Sequence, residues 1–146
     1  QLVVAGAREE LEKFKEDVKN AGGRFMPLPV SGGFHSPFME SAAAGLSDVL
    51  KNMEFVKPAI PVYGNYDGVP YRENVAEMLL KQIVNPVRWQ ETVQNMIKDG
   101  ADIFIEVGPG RTLSGLISKI STDVKVFNVE NAESLNKTIQ EVKALV

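Results

Sequence analysis

The stretch SGGFHSPFM at positions 31–39 holds the only histidine in the chain, His35. An imidazole exchanges a proton near neutral pH and can act as a general base on a hydroxyl or thiol. Behind His35 stand Gly32 and Gly33, which permit close backbone approach and unusual dihedrals. Ahead of it stand Ser36, a good N-cap, and Pro37, preorganised for a first helical position. Two readings are open. His35 is a general base at a strand-to-helix crossing, where open α/β sheets place their ligands, or it is a residue in front of a helix with no chemistry. Ser36 is a poor nucleophile for it, since sequence neighbours seldom aim a hydroxyl at an imidazole and the cap position already employs Ser36. A base without a nucleophile is incomplete, and no G-x-S-x-G elbow occurs in the chain.

Two other stretches bear on chemistry. QIVNPVRW, 82–89, puts Gln82 in the last turn of one helix and Asn85-Pro86 at the start of another. Carbonyls of a last turn lack intrahelical partners, so one of them can accept from an imidazole N–H and fix its tautomer. A plain helix-proline-helix corner is the other reading. EVGPGRTLSG, 106–115, is a glycine-rich turn between a strand and a helix, which either cradles phosphate on a helix N-terminus or is only a tight turn. It matches neither the P-loop nor the dinucleotide fingerprint. Asp67, Asp102 and Glu106 do not fall at metal-ligand spacing with His35, so no metal is expected.

The elements that must position these residues alternate along the chain. Strands are expected at 2–6, 24–30, 59–65, 102–108 and 124–129. The run at 24–30 carries Pro27 and Pro29, which confine it to a sheet edge or an irregular crossing. Helices are expected from Ala7 to Ala21, ended by Gly22-Gly23; from Pro37 to Asn52; over 73–84; from Pro86, capped by Asn85; over 111–120; and over 131–146. DIFIEVG is the near-continuous apolar run of a strand buried on both faces of a parallel sheet. The expected class is therefore α/β with a mainly parallel sheet and flanking helices. The best boundary is the Pro/Gly-rich passage near 27–33.

Composition narrows the function. Of 146 residues, 44% are hydrophobic and 24% charged, with a net charge of -3. Scattered lysines among acids do not make the clustered basic face a nucleic acid requires, so no nucleic-acid partner is expected. The absence of cysteine removes disulfides, thiolate metal sites and a thiol nucleophile. No apolar run approaches the roughly 20 residues of a membrane span, and no signal peptide is visible, so the expectation is a cytoplasmic chain without a membrane partner. A chain that opens at Gln1, already in a strand-like run, reads as a piece of something longer.

Four stretches in this order, PLPVSGGFHSPFM, PVYGN, KQIVNPVRW and IEVGPGRTLSGLI, resemble the C-terminal part of the malonyl-CoA:acyl carrier protein transacylase family of bacterial fatty-acid synthesis. The resemblance covers essentially the whole chain. It implies a hydrolase-like α/β large subdomain, closed here by residues 31–146, and a ferredoxin-like small subdomain, closed by residues 1–30. It implies malonyl transfer from coenzyme A to the phosphopantetheine thiol of acyl carrier protein, by a ping-pong route through a malonyl-serine ester. The coenzyme A thioester is a substrate, and no cofactor is implied.

Residue by residue, the family's F-H-S motif falls on Phe34, His35 and Ser36, which makes His35 the catalytic histidine. The family's glutamine, whose main-chain carbonyl orients that histidine, falls on Gln82. Phe34 resembles the malonyl-selective form, whose ring leaves little room for an α-methyl group. Asn65 is expected near the substrate. The family's G-H-S-x-G serine, its malonate-binding arginine and its glutamine-bearing oxyanion loop have no counterpart among these residues, and neither Arg88 nor Arg111 stands at the arginine's position. The resemblance thus implies an N-terminal fragment of the same protein as partner, beside malonyl-CoA and acyl carrier protein. The alternative is a non-catalytic fragment that binds acyl carrier protein or pantetheine.

Overall fold

A computed structural model describes residues 2–145; the expectations attached to Gln1 and Val146 lie outside the described residues. Helices and strands follow as α1 (Arg8–Asn20), a 3-10 turn (Pro37–Met39), α2 (Glu40–Leu50), α3 (Val75–Val84), α4 (Trp89–Lys98), β1 (Ile103–Val107), α5 (Thr112–Ile120), β2 (Lys125–Val129) and α6 (Ala132–Lys143). The chain divides into two compact units, one of residues 1–66 and 70–87, the other of 67–69 and 88–146.

In the first unit α2 and α3 pack on each other and both meet the 3-10 turn. Leu50, at the end of α2, is the buried anchor of that helix. Ser36 performs the expected capping: its hydroxyl accepts from the Phe38 N–H at 3.3 Å and donates to the Gly33 carbonyl at 2.5 Å. α1 ends as the glycine pair dictates. Gly22 takes a left-handed φ of 75°, and the Gly22 and Gly23 N–H groups return to the carbonyls of Lys19 and Val18. Phe25 comes back edge-on to Phe14, with ring centroids 6.2 Å apart.

Expected strands 2–6, 24–30 and 59–65 are not strands here. Strand propensity becomes a strand only when a neighbour completes the ladder. The third run keeps one antiparallel bridge, Tyr63 with Pro70, and the Tyr71 N–H donates to the Val62 carbonyl at 2.8 Å. The apolar side chains of these runs stay exposed, among them Leu2, Val30 and Ile60.

The second unit is the α/β part. β1 and β2 are parallel, Ile103 beside Lys125 through Val107 beside Val129, with α5 as the crossover. α6 packs on β2 and α4 on α5. Val93 of α4 and Ile117 of α5 are its buried hydrophobic residues. The outer residues of β1 are not covered: Val107 is 81% exposed. α4 begins at Trp89, not Pro86. Asn85 is extended, as a residue before proline must be, and its amide donates to the Lys81 carbonyl at 2.8 Å, closing α3 instead of opening α4.

The glycine-rich turn after β1 is wired to internal carboxylates. Glu106 accepts from the N–H groups of Leu113 (3.1 Å) and Ser114 (2.8 Å) and from the Ser114 hydroxyl (2.6 Å), while the Gly110 N–H donates to Glu130 at 3.1 Å. The Gly110, Leu113 and Ser114 N–H groups that a phosphate would draw on are thus committed to carboxylates of the chain, which argues against the phosphate-cradle reading. Among the described residues no helix is long and apolar enough to cross a membrane. Nor, among them, are three or more His, Cys, Asp or Glu side chains grouped to hold a metal ion.

The Ser114 hydroxyl and backbone bonds, more than the Leu113 N–H and nearby Arg111, hold the Glu106 carboxyl below its usual range against the opposing effect of burial. A carboxyl depressed in the folded state stabilises above its unfolded-state value, and that contribution disappears as pH falls through the lower folded-state value. Hydrogen-exchange protection of the Leu113 and Ser114 amides should therefore weaken below about pH 4. Glu106→Gln should abolish that pH dependence; protection that falls equally in both proteins would refute the cap.

Candidate functional site

His35 sits on the short connection between the glycine pair and the 3-10 turn. Its backbone is left-handed, with φ 56°. A residue with a Cβ takes that conformation at some cost, less for His than for a β-branched residue. Two residues before it Gly33 is crowded: a Cβ there would lie 3.0 Å from the Phe38 ring and 3.2 Å from the Ser36 hydroxyl. The turn is thus tight on one side and strained at His35 itself, which projects the imidazole away from its own segment toward α3.

There it meets Gln82. The His35 Nδ1–H donates to the Gln82 main-chain oxygen at 2.9 Å, across 47 residues of sequence. A carbonyl only accepts, so the proton of a neutral imidazole is on Nδ1 and Nε2 carries the lone pair. The imidazole is exposed, and its Nε2 is the atom left for chemistry.

The chain makes this carbonyl available in a simple way. In a continuing helix the Gln82 oxygen would accept from the N–H four residues on. That residue is Pro86, which has none. Proline also forces Asn85 into extended backbone, which ends α3 at Val84. The orphaned oxygen lies at the C-terminal end of the helix, free to accept from a donor outside it.

Gln82 is itself held. The Asn65 amide donates to the same main-chain oxygen at 3.2 Å, and the Asn65 N–H donates to the Gln82 side-chain oxygen at 3.1 Å. Gln82 Nε2 donates to the Tyr71 hydroxyl at 2.5 Å. His35, Asn65 and Gln82, expected together from the sequence, are thus joined by hydrogen bonds within one unit. Asn65 spends its amide on Gln82. Phe34 is not packed away: half of its surface is exposed beside His35. Tyr71 was not anticipated. Its position six residues past Asn65, across a turn, was the available signal, but a side chain that holds a glutamine leaves no motif. Arg88 pairs with its own helix neighbour Glu91 at 3.2 Å.

Comparison with known proteins identifies the family of the chain. The family model described as acyl transferase domain matches residues 1–146. The malonyl CoA-acyl carrier protein transacylase of Bacillus subtilis (strain 168) is 36% identical over 146 residues, covering 98% of this chain and 46% of the relative. The Haemophilus influenzae protein of the same name is 37% identical over 139 residues, covering 93% of this chain and 45% of the relative. Among solved structures, the malonyl CoA-acyl carrier protein transacylase of Clostridium perfringens has a TM-score of 0.89 and 40% identity, over 92% of this chain and 43% of that one. A malonyl-transacylase in complex with a type II PKS acyl-carrier protein has a TM-score of 0.86 and 34% identity, over 93% of this chain and 45% of that one. The chain spans a little under half the length of the curated relatives it matches. With its whole length matched and its α/β architecture shared, the chain belongs to the acyl transferase domain family.

Proposed function

We propose that this chain carries the histidine half of a malonyl-CoA:acyl carrier protein transacylase site of fatty-acid synthesis, and that a segment beyond these 146 residues carries the serine. The observation that supports it is the Nδ1–H bond from His35 to the Gln82 main-chain oxygen, in a member of the acyl transferase family whose relatives are malonyl transacylases. Two further proposals accompany it: residues 1–30 close a ferredoxin-like subdomain and residues 31–146 a hydrolase-like one, and the setting is cytoplasmic, which suits an acidic chain without cysteine.

In the first half-reaction His35 Nε2 takes the serine proton as the serine oxygen attacks the thioester carbonyl of malonyl-CoA. The imidazolium, its Nδ1–H still on Gln82, then protonates the departing coenzyme A thiolate as the C–S bond breaks. A malonyl-serine ester remains. In the second, Nε2 takes the proton of the phosphopantetheine thiol of acyl carrier protein, the sulfur attacks the ester, and the proton returns to the serine oxygen. Each half begins and ends with neutral His35, so no cofactor is consumed or required. Gln82 never transfers a proton; its oxygen keeps the ring oriented.

Phe34 precedes the base and presents its ring to solvent, where an acyl group would approach. An α-methyl group on the malonyl unit needs room that this ring occupies.

His35→Ala should lower malonyl transfer by the intact protein about 10²- to 10⁴-fold, measured as malonyl-serine formation and as carrier-protein malonylation. Unchanged rates would remove His35 from the mechanism. Phe34→Ala should raise the methylmalonyl-to-malonyl ratio of kcat/KM about tenfold, by analogy with single-methylene discrimination in apolar pockets; an unchanged ratio would move the selectivity elsewhere. The 146 residues alone should give no turnover and no sharp cooperative melt, because strand-like runs such as 2–6 and 24–30 lack ladder partners here. A sharp calorimetric transition from the isolated chain would contradict that. Carrier-protein binding without turnover by the intact protein would favour the non-catalytic reading.

A further inference from the structure

We infer that Tyr71 and Asn65 are positioning residues for the transfer, acting on His35 through Gln82. The inference rests on the reading of His35 as the base and extends it to two residues that need not touch substrate.

A main-chain carbonyl offers two lone pairs, roughly in the plane of its peptide. On Gln82 the Asn65 amide occupies one at 3.2 Å and the His35 ring the other at 2.9 Å. Asn65 thereby leaves His35 a single direction of approach. The Gln82 side chain is pinned at both ends, by the Asn65 N–H on its oxygen and by the Tyr71 hydroxyl under its nitrogen. That matters because Gln82 lies in the last turn of α3, where fraying would move the carbonyl. Pro86 removes the helical bond that would otherwise anchor the same oxygen, so anchorage comes from the side chain instead.

Tyr71 is set for this task by its backbone and its floor. Its N–H is fixed to the Val62 carbonyl next to the Tyr63–Pro70 bridge, which brings its ring alongside Gly64. A Cβ on Gly64 would lie 2.8 Å from a Tyr71 ring carbon, closer than real Cβ contacts come. Gly64 is therefore the space in which the ring rests while its hydroxyl meets Gln82. Gly64, Asn65 and Tyr71 make one device, with the glycine admitting the ring, the ring holding the glutamine side chain, and the asparagine sharing the carbonyl.

The test uses the full-length transferase labelled with ¹⁵N-histidine, the His35 signal being identified by its disappearance in His35→Ala. Parent enzyme should show His35 as the Nδ1–H tautomer. Tyr71→Phe keeps the ring but removes the hydroxyl. It should shift the tautomer ratio toward Nε2–H and lower kcat three- to tenfold, the effect of one hydrogen bond, with KM for malonyl-CoA unchanged. Gln82→Met, which keeps the main-chain oxygen, should reproduce both effects, and the double variant should be no worse than Gln82→Met alone. Should Tyr71→Phe fail to fold, Gly64→Ala serves instead: it displaces the ring with the hydroxyl intact and should produce the same tautomer shift. An unchanged tautomer ratio in these variants overturns the inference, even if kcat falls with stability, and so does an additive double variant. Loss of the base reading looks different: transfer would then survive His35→Ala while the tautomer response to Tyr71→Phe remained.

Discussion

The first unit depends on one carbonyl oxygen that its own helix does not use. Gln82 would give its oxygen to the amide four residues ahead, and a proline stands there. The oxygen is left at the negative end of α3, where it takes two donors from segments distant in sequence, His35 and Asn65. Those two bonds join the glycine-rich crossing at 31–36, the run at 62–65 and the end of α3. An unpaired backbone acceptor costs free energy when water is kept from it, so the fold is biased toward conformations that bring donors to this point. The constraint that ends the helix is the same one that gathers the candidate site.

His35 adds a constraint of its own. Its left-handed φ is unfavourable for a residue with a side chain, and the crowded Gly33 two residues before it leaves the turn few alternatives. With the turn closed by the Ser36 cap, the bond to the Gln82 oxygen holds the imidazole toward α3. Orientation at the base is thus set on two sides, by backbone strain from its own segment and by an acceptor on another helix. This is the kind of preorganisation on which positioned acid-base chemistry relies.

In the second unit the same economy of backbone groups has a different outcome. The turn after β1 offers N–H groups at a helix start, and an anion is what such a site attracts. Two carboxylates of the chain, Glu106 and Glu130, fill that role. The turn ties β1, α5 and β2 into a parallel unit and is a structural joint. The outer residues of β1 remain uncovered, as do the runs at 2–6 and 24–30. Those runs have strand composition without strand structure because a ladder is a property of two segments.

Much of this molecule was legible from residue order. Helix ends followed from local chemistry, since caps, glycine pairs and prolines act within a few residues: Ser36-Pro37 opened a helical turn, and Gly22-Gly23 closed α1. The expected strands 102–108 and 124–129 became the parallel pair 103–107 and 125–129, and FHSPF and QIVNP carry His35 and Gln82, which the structure joins by a hydrogen bond. Asn85 does not open α4 as its type suggests: the helix starts three residues past Pro86, at Trp89, and the Asn85 amide turns back to the Lys81 carbonyl. What only the tertiary structure decided is the wiring between segments. That Nδ1 of His35 meets the Gln82 oxygen, that Asn65 shares it, and that Tyr71 rests on Gly64 to hold the glutamine side chain all depend on approaches of a few ångströms between distant residues. Local propensity carries no information about such distances, because a hydrogen bond is set by where two groups are brought and not by the residues that flank each of them.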